Sequence, residues 1–479
     1  MVPNEGAGYG DLVHEMPKRP FCVFFDIDGS EPSMPRDEIQ RLAEVCSWAV
    51  PPPFEENGRS AVLRRDELLF LGDGTIVGAY QFKGVGYRRD GVVRPPNPDR
   101  PYLSDLHRIN KEVDDDGEFY PSALSSSILG GTTQDEAKRE FQNLIKLRDA
   151  GISVPAPIRV GEMELENGAS TGLLVLGHPV AGAIRFGEYL ENGNDGGGWL
   201  DNPFLKSALL DLYGISEEAS IEDKVFYAFC FVADAQLVRG VMLRAVASDA
   251  NLFGLQPHLG NFTCDHKRGV TMLHDFETLR SLDEVSYKSR GVHLLMDLYR
   301  AVSALSHFFP NFDDLDQLSE LKVLALTNGN PYIPLLRGYF SREISDPSFE
   351  SELNSLASEL WCSFIDDMDE YRKVPKSGRS DWRNDHRGIT SICLPCQLVS
   401  LYSKSELGKS YPLPYRAKEL YPRLMKAHEA SAELFERVQK PLIEDAEIQE
   451  AVDGVRAKVG DLSTNVIAQV VDLLKKIFY

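Results

Sequence analysis

The chain has 479 residues, of which 43% are hydrophobic and 26% charged, and this composition can bury a sizeable core. Its formal net charge is −22, from 73 acidic and 51 basic residues. A surface this acidic repels polyanions, so we expect no nucleic-acid partner. We read no stretch as a membrane span of about 20 apolar residues, so we expect no membrane partner. Seven dispersed cysteines and an N-terminus without a signal pattern predict a cytoplasmic protein.

The pattern along the chain divides it into three parts. Residues 1–60 are expected to form an N-terminal extension. Strand patterns predominate over 61–190, with one clear helix and with an expected surface loop at 88–131. Breaker residues at 191–198 predict a hinge, and 191–479 reads as mainly helical. The sequence therefore predicts an α+β, two-lobed phosphotransfer enzyme with a strand-rich small lobe, a helical large lobe and ATP in the cleft.

One lysine, Lys83, stands between two glycine clusters and is the first candidate for binding a nucleotide. The flanking glycines, which serve either as turn residues or as a phosphate cradle, are Gly72, Gly74 and Gly84. A lysine that holds phosphates needs a carboxylate to orient it. A capping box, Thr133 to Glu136, predicts a helix that offers Glu140 at the edge of its apolar face. A solvated glutamate in a charged run is the alternative for Glu140.

Five short motifs in this order resemble the selenoprotein O family. They are LGDG at 71–74, FKGVG at 82–86, REF at 139–141, AGI at 150–152 and IRFG at 184–187. The resemblance covers roughly residues 61–300. Members of that family have a protein-kinase-like fold, bind ATP in a flipped orientation and transfer AMP to protein hydroxyl groups.

The resemblance implies roles for individual residues. Lys83 would hold nucleotide phosphates, Glu140 would pair with it, and the glycines named above would belong to the same site. Arg185 would contribute to the phosphate site, because a guanidinium can donate two parallel hydrogen bonds. His178 stands where the family has a second arginine. We therefore expect phosphate binding that is weaker, or that strengthens as pH falls through about 6.5.

Two residues further along resemble the metal ligands of kinases. His274-Asp275-Phe276 follows a short apolar run and is similar to the kinase Asp-Phe-Gly motif, with Glu277 in place of glycine. Asn261 precedes Asp275 by fourteen residues. We expect both to bind Mg²⁺ or Mn²⁺, because each offers an oxygen ligand near the triphosphate. The alternative is that Asn261 and Asp275 are ordinary turn residues and bind no metal.

The general base has no clear position in the sequence. Kinases place an aspartate five residues before the metal-binding asparagine, where this chain has Gln256. The selenoprotein O family places it directly before the asparagine, where this chain has Gly260. Asp249 and His258 are the nearest catalytic candidates, and a helix cap and a loop histidine are their structural alternatives.

The sequence thus predicts an enzyme that binds Mg·ATP and transfers AMP to a hydroxyl of a protein substrate. A small-molecule or protein kinase is the first alternative, since His258–Asn261 also resembles the loop of aminoglycoside-type phosphotransferases. A nucleotide-binding pseudokinase that acts as a partner module is the second alternative, because both expected base positions lack an aspartate.

Overall fold

The structure is a computed structural model that describes most of the chain. The described residues are 21–25, 34–54, 59–89, 91–101, 109–123, 128–165, 168–191, 198–306, 329–374 and 393–443. Strands and helices are numbered here in chain order. Within these residues the fold is α+β, with the strands concentrated before residue 191 and the helices after it, as the sequence predicts.

A five-stranded antiparallel sheet forms the centre of the strand-rich lobe. Its order is β1-β10-β11-β3-β2, so β3 lies between two neighbours. The strands are β1 Phe21–Phe24, β2 Ala61–Phe70, β3 Ile76–Lys83, β10 Ala156–Glu164 and β11 Ser170–His178. β3 is buried over residues 77–80 and at Phe82, which matches its run of apolar residues. Lys83 is its last residue and lies opposite Leu174 of β11.

The described part of the predicted N-terminal extension belongs to this lobe. Strand β1 pairs with β10 in the sheet. Helix α1, Arg36–Cys46, contributes Leu42 and Val45 to the same buried cluster as β3. Trp48 joins that cluster and donates from Nε1 to the carbonyl of Val85 at 2.9 Å. These residues therefore brace the sheet from one side.

The stretch predicted as a surface loop contains strands, and that prediction is wrong. Three small two-stranded sheets occur there: β4 Tyr87–Arg89 with β5 Val92–Arg94, β6 Asn97–Pro101 with β9 Ile128–Leu129, and β7 Ile109–Val113 with β8 Phe119–Ala123. The β7–β8 hairpin reaches the helical lobe. Tyr415 donates to the carbonyl of Gly117 at 3.0 Å, and Arg423 pairs with Glu118. The hairpin therefore ties the two lobes together.

Helix α2, Gln134–Asp149, packs against the sheet and begins at the predicted capping box. Thr133 Oγ1 accepts from the backbone of Glu136 at 3.2 Å, and the Glu136 carboxylate accepts from the backbone of Thr133 at 3.0 Å. The capping box is thus confirmed. Asn143 of α2 donates to the carbonyl of Leu279 at 2.8 Å. This bond links α2 to the chain that follows Asp275.

The helical lobe surrounds two short strand pairs. Its helices are α3 Pro203–Tyr213, α4 Ile221–Ser248, α5 Tyr287–Ser306, α6 Tyr332–Tyr339, α7 Pro347–Lys373, α8 over 393–404, α9 Glu406–Ser410 and α10 Ala417–Leu434. The strand pairs are β12 Leu252–Phe253 with β15 Arg280–Ser281, and β13 Phe262–Asp265 with β14 Val270–Leu273.

Helix α4 is the long central helix of this lobe and crosses α6 closely. A Cβ on Gly240 would meet the carbonyl of Leu335 at 2.2 Å, and a Cβ on Gly338 would meet that of Leu237 at 2.2 Å. By length and composition alone, α4 is the one helix in the described residues that could cross a membrane, with 50% of the qualifying window buried. A core helix passes the same test. Many residues of α4, among them Phe229, Val232 and Ala235, are buried in the core of the lobe, and the expectation of no membrane partner stays a prediction.

Candidate active site

The predicted pair of Lys83 and Glu140 is present. Lys83 Nζ lies 2.7 Å from Glu140 Oε1, although the two residues are 57 positions apart. β3 delivers the lysine and α2 delivers the glutamate, which is 3% exposed. Lys83 Nζ also lies 3.5 Å from Asp275 Oδ1. The lysine therefore connects the sheet, α2 and the segment after β14.

Three carboxylates share this single ammonium. Burial alone would lower the pKa of Lys83, but the charges of Glu140, Asp275 and Glu277 outweigh it and raise the pKa, so the lysine stays protonated. Burial would likewise raise the pKa of Asp275, yet Lys83 and a hydrogen bond from Asn261 lower it. For Glu277, burial and the charge of Asp275 raise the pKa to about 7. The charge of Arg59, which also lines the cleft, lowers the pKa of both Asp275 and Glu277.

Asn261 and Asp275 lie side by side, as their spacing predicted. Asn261 Nδ2 donates to Asp275 Oδ2 at 3.1 Å and to the backbone carbonyl of Gln256 at 3.0 Å. The backbone of His274 donates to the carbonyl of Asn261 at 2.9 Å. Asp275 has a φ of 65°, in the left-handed region that non-glycine residues rarely adopt. Backbone strain of this kind is typical of functional positions.

These two residues fit a divalent cation. Both Nδ2 bonds of Asn261 are used, which leaves its Oδ1 as a ligand beside the Asp275 carboxylate. Within the described residues, no group of three or more His, Cys, Asp and Glu side chains could hold a metal. The protein would therefore supply only part of the coordination shell. Mg²⁺ is commonly bound in this way, through one or two protein oxygens, phosphates and waters.

Two charged residues hold the loop that precedes Asn261. Asp297 of α5 accepts the backbone N–H of Gly254 at 2.6 Å through Oδ2. Arg239 of α4, which is fully buried, donates to the carbonyl of Pro257 and to that of Ala301, the latter at 3.3 Å. Burial lowers the pKa of Arg239 to about 9. A carboxylate thus fixes the amide side of the loop and a guanidinium fixes its carbonyl side.

Arg185 lies in the cleft, at the start of a short 3-10 turn, Phe186–Leu190. It is half-buried, and its Nη1 donates to the carbonyl of Gly260 at 2.7 Å. Its charge helps to lower the pKa of His274 nearby, after burial itself. The guanidinium is therefore next to the loop that carries Asn261.

His178 lies behind this part of the cleft and is neutral at pH 7. Burial, and then the charges of Arg185 and Lys83, lower its pKa to about 4. Its ring stacks on that of His274 with centroids 5.9 Å apart, and its Nε2 lies 3.0 Å from Gln81 Oε1. The expected gain of charge near pH 6.5 is therefore wrong. His178 does not replace the positive charge of an arginine.

The glycines of the first cluster do not line the cleft. Gly74, with a φ of 85°, closes a tight turn between β2 and β3 by donating to the carbonyl of Leu71 at 2.9 Å, and Gly72 lies within that turn. The turn lies at the opposite end of β3 from Lys83. Gly84 does line the cleft, and a Cβ there would meet the carbonyl of Gly172 at 2.0 Å. The first cluster is a turn, and its expected role in nucleotide binding is wrong.

The two catalytic candidates have different positions. Asp249 caps the C-terminus of α4 and pairs with Arg342 at 2.9 Å, outside the residues that line the cleft. Its prediction as a catalytic residue is therefore wrong, and the helix-cap alternative describes it. His258 lines the cleft, and its Nδ1 accepts from the backbone of Gly260 at 3.1 Å. It helps to shape the turn before Asn261.

The cleft has a volume of about 1070 Å³ and two recognisable regions. The lysine region comprises Lys83, Glu140, Arg185, Asn261, Asp275 and Glu277. The α5 region comprises Phe253, Arg280 and one face of α5, namely His293, Met296, Arg300, Ser303 and Ala304. Residues 254–258 of the loop, with Leu255 excepted, line the same cleft and connect the two regions along the chain.

Several of these residues were not predicted from the sequence. Glu277 was noted only as a replacement for glycine, although its place two residues after Asp275 is a usable signal. Asp297 and Arg239 act through backbone contacts, and no short motif marks such contacts. The α5 face follows a helical spacing of 3, 4, 3 and 1 residues from His293 to Ala304. The spacing can be read from the sequence, but the residues at these positions are a mixture of apolar and polar types, so they do not stand out as one face of a helix.

Comparison with known proteins gives a structural likeness and no match in sequence. No protein-family model matches the chain, and no curated protein matches it. A solved structure described as "WaaP in complex with acyl carrier protein" is similar over 54% of this chain and 92% of that chain, with 12% sequence identity and a TM-score of 0.24. The family models and the curated proteins therefore give no support to the resemblance to selenoprotein O.

The class of protein is defined by the chain's own geometry. A lysine on a central strand pairs with a glutamate on the following helix, and an asparagine and an aspartate meet beneath them. This is the arrangement that protein kinases place around ATP. The chain is an α+β protein with a kinase-like cleft between a strand-rich and a helical lobe.

Proposed function

We propose that this chain is an ATP-dependent transferase that moves AMP from Mg·ATP to a hydroxyl group of a protein. The observation that carries the nucleotide site is the contact of Lys83 with both Glu140 and Asp275. It brings one fixed cation and one metal-binding carboxylate to the same point. Such fixed charges stabilise a transferring phosphorus centre more than they would in water.

Four residues of the lysine region have distinct tasks in this proposal. Lys83 binds phosphate oxygens, and Glu140 keeps the ammonium in place. Asn261 and Asp275 would hold Mg²⁺, which neutralises charge on the phosphates when it is bound. The bonds from Asp297 and Arg239 keep the intervening loop fixed, so that Asn261 meets Asp275. Positioning and electrostatics of this kind supply most of the catalysis in transfer from phosphorus.

Transfer of AMP, as opposed to phosphate, is favoured by Arg185. A guanidinium is a poor lining for an adenine slot, whereas it matches phosphate oxygens well. Arg185 is half-buried beside Gly260 and lines the same cleft as Lys83. A nucleotide whose phosphates lie near Arg185 presents its α-phosphorus to the acceptor. The resemblance to selenoprotein O supports the same outcome.

Phosphate transfer is the second candidate, favoured by the contact between Asn261 and Asp275. Kinases use the same pair to place the γ-phosphate. The two candidates differ in which phosphorus becomes bonded to the acceptor oxygen. AMP transfer releases pyrophosphate, whereas phosphate transfer releases ADP.

Incubation with ATP labelled at the α- or the γ-phosphorus distinguishes the two reactions. Our proposal predicts protein-bound label from α-labelled ATP, dependent on Mg²⁺ and lost in Arg185→Ala. Label from γ-labelled ATP alone would show that the protein is a kinase. Binding of Mg·ATP without either transfer would identify a pseudokinase. Arg268→Ala, which alters an arginine outside the cleft that pairs with Asp265 at 2.7 Å, is a matched control.

A further inference from the structure

The α5 region of the cleft is suited to a second ligand. Ligand pockets usually enclose about 300–1,000 Å³, and this cleft, at about 1070 Å³, exceeds that range. Its lining residues on α5 run from His293 to Ala304, which corresponds to about 16 Å of helix. A nucleotide held at Lys83 and Asp275 leaves this part of the cleft for another molecule.

Aromatic and cationic side chains pack together at one side of the α5 region. The ring of His293 lies against that of Phe253, with centroids 4.2 Å apart. The guanidinium of Arg280 lies over the same phenyl ring, 5.8 Å from its centroid. Burial, and then the charges of Arg280 and Arg300, lower the pKa of His293 to about 4. Both guanidiniums are therefore close to a neutral imidazole.

Hydrogen-bond donors are in surplus there. Arg300 contacts Asp297 Oδ1 at 3.2 Å, and Arg280 contacts Glu284 Oε2 at 3.6 Å. Each guanidinium has five N–H donors, so one such contact leaves most of them available. His293 Nε2, which donates or accepts according to the tautomer, is buried and has no hydrogen-bond partner within the described residues.

The nearby carboxylates already have partners. The second oxygen of Asp297 accepts the Gly254 amide, and Glu284 Oε1 accepts the backbone N–H of Ser281 at 3.0 Å. Glu112 Oε2 accepts the hydroxyl of Tyr120 at 3.1 Å. The missing partner is therefore a ligand rich in acceptor oxygens, and a phosphate or carboxylate group provides them in the planar spacing that a guanidinium matches.

We propose that the α5 region binds the acceptor of the transfer reaction, and that this acceptor carries an oxyanion, phosphate or carboxylate, near its reacting hydroxyl. Arg280 and Arg300 bind the oxyanion. The hydroxyl then lies toward Gln256, which lines the cleft and whose backbone carbonyl accepts from Asn261 Nδ2 at 3.0 Å. This assignment of the acceptor class rests on the proposed function, because an acceptor is needed only if a group is transferred.

Methyl NMR of the full chain tests the binding directly. The chain has nine methionines, and Met296→Leu identifies the signal of Met296. With Mg·ADP present, the probes are glycerol 3-phosphate, glycerate and glycerol, which share hydroxyl groups and differ in the anion. We expect saturable shifts of Met296 with the first two and none with glycerol. A larger effect of the phosphate or of the carboxylate identifies which oxyanion the region prefers.

Variants locate the oxyanion. Arg300→Gln and Arg280→Gln should each weaken probe binding on the order of tenfold, as expected for loss of a charge-assisted hydrogen bond. Arg280 is 42% exposed, so its variant keeps the test valid if Arg300→Gln folds poorly. Lys288→Gln removes a charge from the same helix outside the cleft, where Lys288 pairs with Asp116 at 2.8 Å, and should change nothing.

Equal shifts with glycerol, or shifts that survive both arginine variants, would overturn the proposal. Failure of the proposed function gives a different result. In that case Mg·ADP does not bind, while glycerol 3-phosphate still shifts Met296 in the nucleotide-free protein. Lys83→Ala should leave these shifts in place, which excludes binding of the probe in the lysine region.

Discussion

In the lysine region, one ammonium lies between the carboxylates of Glu140 and Asp275, whereas in the α5 region Arg280 and Arg300 each contact a single carboxylate. The lysine region holds three carboxylates and two cations, Lys83 and Arg185. The α5 region has donors that no described residue uses. The contrast fits the two ligands that we propose, a metal-bound nucleotide in the lysine region and an oxyanion in the α5 region.

The regions also differ in how the chain builds them. Strand β3, helix α2, the start of the 3-10 turn at Arg185, the turn before β13 and the segment after β14 each bring one residue or two to the lysine region. A single helix supplies most of the α5 region. A substitution in the lysine region should therefore disturb several contacts at once, while a substitution on α5 should act locally.

The largest effect is expected from Lys83→Ala. Loss of one preorganised electrostatic donor should lower the transfer rate by roughly 10²–10³, measured with labelled ATP under saturating conditions. Lys288→Ala, which removes a lysine outside the cleft, is the matched control. A rate within twofold of the wild type would mean that the ammonium does not act on the nucleotide.

A smaller effect is expected on stability at Asp297, which joins the two regions. Burial raises its pKa from 3.8 to about 6. Between these pH values the folded protein holds the proton more tightly than the unfolded chain, so stability falls as pH rises through that window. Two pKa units correspond to about 3 kcal/mol. Asn carries no such proton, so Asp297→Asn should lose this dependence.

Urea unfolding at pH 4 and pH 7 measures this difference. The wild type should lose about 2–3 kcal/mol more than Asp297→Asn on going from pH 4 to pH 7. Other buried acids, such as Glu277, are unchanged in the variant and cancel in the comparison. Parallel losses in the two proteins would contradict a raised pKa at Asp297.

The smallest effect is expected at His178, which lies behind the lysine region. Its lowered pKa of about 4 keeps the ring neutral between pH 5.5 and 7.5. His178→Gln should therefore leave the pH dependence of Mg·ATP affinity unchanged to within about twofold over that range. A wild-type affinity that rises several-fold near pH 6.5, and does so only with His178 present, would show that the ring titrates there.

Local patterns predicted much of the lysine region. The capping box of α2 and its apolar stripe placed Glu140 correctly, because both depend on spacing within a single helix. The 57-residue separation of Lys83 and Glu140 was bridged by the order of five motifs, and not by any pattern in the residues between them. The pairing of Asn261 with Asp275 was predicted from their fourteen-residue interval, which is similar to that between the metal ligands of kinases.

Other features were beyond a reading of the sequence. Gly74 and Gly84 both have positive φ, and composition does not distinguish the turn glycine from the cleft glycine. Asp249 precedes the loop at residues 254–258 in the sequence, and Asp297 contacts that loop in space. Their roles differ because one caps a helix end in solvent and the other is buried against a backbone amide. Such distinctions depend on tertiary packing.

We propose above that Asn261 and Asp275 hold the metal of Mg·ATP in the lysine region. Calorimetric titration of the wild type, Asp275→Ala and Asp249→Asn with ATP, each with and without Mg²⁺, tests it most directly. We expect Asp275→Ala to weaken Mg·ATP binding by on the order of 100-fold and to abolish its dependence on Mg²⁺. Asp249→Asn should bind as the wild type does. Equal Mg·ATP affinity in Asp275→Ala, with the fold intact by circular dichroism, would contradict the assignment.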